Sequence, residues 1–347
     1  MIWNPFKSFA DTCLGIDIGA FSVKLAEVKH GGKQKELTNY GEVKIGDIYS
    51  GPVKDISSIE AEEIGSIISA VIKEAGMKNK RAVVSLPDYH TFFTTFTLPP
   101  MTKEEITEAV KFEAPVRIPL PISKVSLDWQ VVEGLGKGEE AIRILLVAIP
   151  TEVLNKYQEI VSAAKLDLFT FEAEAFSLMR TLVKDEKTAA IADIGAESTT
   201  CSIVDKRIIR ASHSFDTGGK KFTSAISKSL EIDMKEAEKI KKEEGVLGEE
   251  KVKSALLPLI DLIVEEIRRA SENFYDEEKK KIEKIILTGG TSLMPGLKEY
   301  MESNLAIAVE IGNPFSGISY PQELSGKIKK MSPLYATALG AGLRGLK

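Results

Sequence analysis

Two aspartates give the first hint of chemistry. Asp17 stands in LGIDIGAFSVKLAEVK (residues 14–29) and Asp193 in AIADIGAESTTCSIVDKR (190–207), and both are followed by Ile-Gly-Ala. Each stretch reads as an apolar strand, Asp-x-Gly, a short polar turn and a return strand ending in charge. Backbone N–H groups exposed at such a turn can hold phosphate oxygens. Glycine lets the backbone approach a ligand with no Cβ in the way, a task that Gly19 and Gly195 fit. Ala20, Ser22, Ala196, Ser198 and Thr199 keep the turns narrow, and their hydroxyls add donors. Asp17 and Asp193, at the strand ends, would face whatever lies between the turns. Two facing carboxylates suit Mg²⁺, held through its waters because magnesium keeps much of its hydration shell. Lys24 can reach a phosphate as a point charge, a contact worth about 1.5–3 kcal/mol. One Asp-x-Gly is an ordinary hairpin turn; two, each opening one half of the chain, argue for duplication with a purpose.

A third element follows the same logic. KIEKIILTGGTSLMPGLKEYMESNL reads as a buried strand, a Gly-Gly turn and a helix starting near Pro295, where proline suits a first helical turn. At Gly289, Gly290 and Thr291 a flat ring or ribose could lie against the backbone. Beside two phosphate-type turns, this one reads as an adenosine pocket.

The elements that must position these turns alternate between strand and helix. Strand signals recur at 14–18, 22–28, 82–86, 92–98, 143–149, 189–194, 199–204 and 285–288. Ile64, Ile67, Ile68, Val71 and Ile72 fall at helical spacing and form one apolar stripe. Phe222, Ile226 and Leu230 do the same after Gly218–Gly219. A long helical region over 231–281 is expected to break near Gly245–Gly248 and at Pro258. Such alternation predicts an α/β protein. Residues 83–150 differ in texture: two β segments, a helix opened by Thr102 and Glu105 at capping-box spacing, then two more strands. Ile106, Ala109 and Val110 form that helix's buried face, and Pro115, Pro119 and Pro121 are expected to end it.

The bulk numbers exclude several classes. At 347 residues the chain fits two domains rather than one core. A net charge of −5 offers no broad basic face for nucleic acid. Cys13 and Cys201 make no CxxC, and His30, His90 and His213 are scattered, so neither a zinc site nor a histidine triad is suggested. The start has too short an apolar run for a signal peptide, and no stretch approaches a membrane span. A cytoplasmic protein is expected, with Trp3, Phe6 and Phe9 packing on its body in preference to touching a partner.

In this order the three pieces resemble the motifs of the actin-like ATPase superfamily: phosphate 1 (IDIGAFSVKLAEV), phosphate 2 (IADIGAESTTCSIV) and adenosine (ILTGGTSLMPGL). The closing YATALGAGL is similar to that superfamily's last helix, with Ala336, Ala338 and Gly340 small where it packs by the nucleotide. The insert VVSLPDYHTFFTTFTLPPMTKEEITEAVKFEAPVRIPLPISKVSLDWQVV resembles the strand-helix-strand-strand subdomain of the FtsA/PilM branch. Leu98-Pro99, Glu113-Ala114, Ile118-Pro119, Asp128 and DTGGKKFTSAI resemble PilM proteins of type IV pilus assembly in particular.

The resemblance implies a ribonuclease H-like two-domain core. Residues 1–82 and 151–188 would form subdomain 1A, 83–150 the inserted 1C, 189–225 and 283–347 subdomain 2A, and 226–282 subdomain 2B. It implies ATP and Mg²⁺ as ligands, held by Asp17, Gly19, Ala20, Phe21, Ser22 and Lys24 on one side. On the other stand Asp193, Gly195, Ala196, Glu197, Ser198, Thr199, Gly218 and Gly219, with Gly289, Gly290, Thr291 and Met294 at the adenosine. Glu238 and Lys241 match a pair that clasps ribose and adenine; their i, i+3 spacing suits a solvated helix face as well. Asp17 and Asp193 would carry the metal, and Glu174 would position water for hydrolysis, with Glu172 the other candidate. The surroundings depart from the superfamily's proline-containing pattern, which implies slow turnover or a nucleotide that is mainly structural. The partner implied is the N-terminal cytoplasmic tail of PilN, in a groove between 1A and 1C. The protein would thereby be peripheral to the inner membrane and link PilN–PilO to the pilus motor ATPases. A homo-oligomer stays open, since filaments are common in the superfamily. Among rivals, an FtsA-like division protein would carry an amphipathic tail that ALGAGLRGLK does not resemble. A sugar kinase would need a polyhydroxyl cleft where Phe92, Phe93, Phe96 and Leu98 stand, and a DnaK-type chaperone a further peptide-binding domain.

Overall fold

Each Asp-x-Gly segment folds as a hairpin, and each hairpin opens a sheet of the same design. The computed structural model describes residues 10–32, 34–47, 58–134 and 141–346; Trp3, Phe6 and Phe9 lie outside them. The chain begins with β1 (Thr12–Ile18), β2 (Ser22–Gly31), β3 (Gln34–Lys44), α1 (Ala61–Glu74) and β4 (Arg81–Leu86). The insert follows: β5 (Phe92–Leu98), α2 (Lys103–Arg117), β6 (Val125–Glu133) and β7 (Ile142–Pro150). The chain then returns through α3 (Thr151–Ala163), β8 (Asp167–Ala173) and α4 (Glu174–Leu182). The second half holds β9 (Ala189–Ile194), β10 (Thr199–Asp205), β11 (Ile208–Phe215), α5 (Gly219–Leu230), α6 (Met234–Glu243) and α7 (Glu250–Glu278). It closes with β12 (Lys284–Thr288), α8 (Leu297–Leu305), β13 (Ala308–Ile311), β14 (Ile318–Ser319), α9 (Ser325–Met331) and α10 (Ala336–Arg344).

The sheet orders are β14-β3-β2-β1-β4-β8, β11-β10-β9-β12-β13 and β5-β7-β6. In the first two, an antiparallel meander of three strands carries two parallel strands on its inner side. The central strands are apolar on both faces because helices cover both. Along β1, Cys13, Leu14 and Ile16 are fully buried, and along β9 so are Ala190, Ile191 and Ala192. On α1, Ile64, Ile68 and Val71 enter the core while Ile67 and Ile72 lie half-buried at its edge. Each such aliphatic side chain contributes about 1.5–3 kcal/mol when fully buried.

Three expectations are corrected. The helices run through two of the prolines: Pro115 lies inside α2 and Pro258 inside α7. A proline forfeits one i→i−4 hydrogen bond, but Val252, Leu256, Ile260, Ile263 and Val264 bury a stripe on both sides of Pro258. Tertiary burial of that kind, rather than local propensity, holds most protein helices. At Pro295 the helix begins later, at Leu297, behind a left-handed Gly296. The closing segment, expected with the second lobe, belongs to the first. Here β14 pairs with β3, and α10 packs on β1, β2, β4 and α4. The small residues of α10 serve this contact: a Cβ on Gly15 would stand 1.9 Å from the Ala338 carbonyl oxygen.

Candidate nucleotide site

Strand direction assembles the acids. β1, β4 and β8 are parallel neighbours, so their C-terminal ends share one edge, where ligands of open α/β sheets gather. Asp17 lies near the end of β1, Asp88 just beyond β4, and Glu174 at the first residue of α4 after β8. From the second sheet, parallel β9 and β12 bring Asp193 and the Gly289 turn to the matching edge. The two edges face each other across a cavity of about 1090 Å³ lined by Asp17, Glu174 and Asp193 together. That volume accommodates a ligand of nucleotide size.

The hairpin turns match in detail. The Gly19 N–H donates to the Ser22 carbonyl at 3.1 Å, and the Gly195 N–H to the Ser198 carbonyl at 3.0 Å. Opposite Asp17 in register stands Lys24, its ammonium 3.7 Å from the carboxylate. Opposite Asp193 stands Thr200. Gly19, Ala20, Phe21, Ser22 and Lys24 line the cavity from one side, and Gly195, Ala196, Glu197 and Ser198 from the other. The Ser22 hydroxyl is buried with no protein partner among the described residues.

The adenosine-type turn is fastened to the second hairpin. Thr291 donates to the Gly195 carbonyl at 3.4 Å. Gly289 has φ +81°, and a Cβ there would stand 2.4 Å from Asp193 Oδ1, so only glycine fits. Gly290, Thr291 and Met294 share this wall. Glu238 and Lys241 also reach the cavity but are bound to one another: Lys241 Nζ lies 2.6 Å from Glu238 Oε2 and donates to Thr223 and to the Gly219 carbonyl at 3.0 Å. Burial lowers the Lys241 pKa, and Glu238 opposes that shift.

Three sequence candidates stand off the cavity wall. Thr199 faces away because side chains alternate along β10, and its hydroxyl donates to the Thr217 carbonyl; its neighbour Thr200 takes the inward place. Gly218 caps α5 behind the turn, against the backbone of Ala196 and Glu197, while Gly219 lines the cavity. Glu172 is held by Arg180 and Ser177, and Arg180 in turn donates to the Gly340 carbonyl.

Sequence reasoning missed Asp88, Pro87, Tyr89, His90, Lys156, Tyr157 and Lys242. Apart from Asp88 these residues line the cavity, and Asp88 is buried beside Glu174, to which its N–H donates at 3.2 Å. The signal was present: PDYH directly follows β4, a strand parallel to β1, so its first polar residue, Asp88, lands at the same edge.

Charge is unbalanced here. Burial pushes Asp88 up to about 8; the Ala175 amide opposes that rise and the Asp193 charge adds to it. Burial, followed by the charges of Asp88, Asp17 and Asp193, holds Glu174 well above the usual carboxylate range. Asp193 rises to about 6 through burial and then Asp17, with Lys24 opposing. Burial likewise raises Asp17 against Lys24. Asp17, Glu174 and Asp193 face one cavity and raise one another's pKa, a repulsion that a cation would relieve. Among the described residues no three His, Cys, Asp or Glu groups converge on a point that could hold a metal ion directly.

The family model for the type IV pilus assembly protein PilM matches residues 15–346. This chain belongs to the PilM family. A solved PilM-PilN type IV pilus biogenesis complex is 25% identical, with a TM-score of 0.84 over 98% of this chain and 100% of that one. The cell division protein FtsA of Streptococcus pneumoniae serotype 2 (strain D39 / NCTC 7466) is 24% identical over 377 residues, covering 94% of this chain and 82% of that protein. MreB 5 of Spiroplasma citri, solved bound to AMPPNP, is 14% identical with a TM-score of 0.55, covering 97% of this chain and 96% of that one, a likeness of fold alone. These neighbours make the fold actin-like, with a two-lobed core and the β5-β7-β6 insert.

Proposed function

We propose that the cleft binds Mg-ATP and that the nucleotide braces a docking surface for a pilus-assembly partner. One observation carries this reading: both Asp-x-Gly turns, the Gly289 turn and the Glu238–Lys241 pair line the same cavity. The turn amides and Lys24 would hold phosphate, and the partnerless Ser22 hydroxyl would gain an acceptor there. The Gly289–Met294 wall would take adenosine. A hydrated Mg²⁺ between Asp17 and Asp193 would supply positive charge on the phosphates. Glu174, at the start of α4, is the residue we assign to orienting water, and turnover is slow in this reading.

Membership of the PilM family, with the structural likeness to a PilM-PilN complex, supports the cytoplasmic N-terminal tail of PilN as partner. We assign its groove to the junction between the first-lobe core and the insert. The protein would then sit in the cytoplasm, drawn to the inner membrane through PilN and connecting it to the motor ATPases. Among the described residues no helix is long and apolar enough to cross a membrane. Isothermal calorimetry tests the nucleotide reading. Asp193→Ala should weaken Mg-ATP binding at least roughly tenfold, the loss of one charge-assisted contact; wild-type affinity in that variant would refute the site.

A further inference from the structure

The insert is joined by chain to the first lobe alone, yet it packs on the second. Its strand β5 lies against β11, the edge strand of the second sheet. The contact is ionic as well as steric. Arg143 on β7 pairs with Glu278 in the last turn of α7, and Glu133 on β6 pairs with Arg210 on β11 at 2.5 Å. Arg143 and Glu133 are themselves register partners across β6 and β7. On the second-lobe side, Arg210 also meets Asp205 at 3.2 Å, and Asp205 meets Lys280 at 2.7 Å. Arg210 and Asp205 are almost fully buried, so this network is built into the fold rather than laid on its surface. Three positive and three negative side chains cancel, which marks a joint and not a site for a charged ligand.

The other end of the insert is rooted in the cleft. Pro87, Tyr89 and His90, which lead directly into β5, line the cavity beside Glu174. We propose that the insert is a strut between the lobes, so that closure of the cleft over its ligand and the seating of the insert on α7 and β11 are one equilibrium. This rests on the reading of the cleft as a nucleotide site. Whatever docks on the insert would then shift nucleotide affinity, and nucleotide would shift docking by the same factor.

The test is the release rate of a fluorescent ATP analogue with Mg²⁺, by stopped flow. Glu278→Arg, remote from the cavity wall, should speed release about tenfold, the effect of one lost charge-assisted contact. The swap Arg143→Glu with Glu278→Arg should restore the rate to within about twofold, which general damage to α7 would not allow. An unchanged rate in Glu278→Arg, or a swap that fails to rescue, overturns the strut. A wild-type protein that binds no analogue overturns the nucleotide reading along with it. Should Glu278→Arg not fold, amide exchange of the wild-type protein decides: Mg-ATP must slow exchange in β5 and β7, and no change there overturns the proposal.

Discussion

The two hairpins share a backbone and differ in charge. Both turn through a glycine N–H bonded to a serine carbonyl three residues on, at 3.1 and 3.0 Å. Yet the position opposite the aspartate is Lys24 in the first and Thr200 in the second. The first hairpin is also backed by Asp88 and Glu174 from its own sheet, whereas the second is backed by uncharged Gly289 and Thr291. The duplicated frame is thus divided beside its two aspartates: a lysine and further acids stand with Asp17, and an uncharged glycine turn stands with Asp193.

Three measurements break or sharpen that division. The largest effect concerns the acid stock of the first lobe. Asp88 keeps its proton in the folded state up to about pH 8 but loses it near 4 when unfolded. Between those values the folded state binds more protons, so stability falls as pH rises through the window and levels off above it. In nucleotide-free protein, Asp88→Asn should flatten that decline and be more stable at pH 8.5 by on the order of 5 kcal/mol in urea titrations. An unchanged slope would mean that the first lobe carries no such electrostatic load. Next comes Lys24→Ala, expected to weaken Mg-ATP roughly tenfold or more as a charged phosphate contact is lost. The smallest is Thr200→Val, expected to cost about two- to fivefold, the scale of a neutral hydrogen bond. Equal losses at the two positions would erase the asymmetry.

Much of this arrangement was legible beforehand, because hairpin turns and strand alternation are local. The Asp-x-Gly turns, the capping box of Thr102 and Glu105, and the α1 stripe are all written in short spacings. Long-range placement was not. Nothing near YATALGAGL says that α10 must lie on Gly15, and Pro258 looks like a break until the stripe on both sides is seen buried. Thr199 and Thr200 could not be told apart without the pleat. Asp88 was hidden because its segment reads as the start of the insert, while its chemistry belongs to the edge that β4 shares with β1. Sequence puts Glu174 ahead of Glu172, and the structure shows why: Arg180 and Ser177 hold Glu172, while Glu174 lines the cavity.

The central claim is that Asp17 and Asp193 serve one magnesium nucleotide, and a double-mutant cycle measures it. Mg-ATP affinity is determined by calorimetry for the wild-type protein, Asp17→Asn, Asp193→Asn and the double variant. The account predicts strong non-additivity, with the double variant binding barely more weakly than the worse single variant and a coupling of about 1 kcal/mol or more. Additive losses would mean that the two carboxylates act on separate things, and would contradict it.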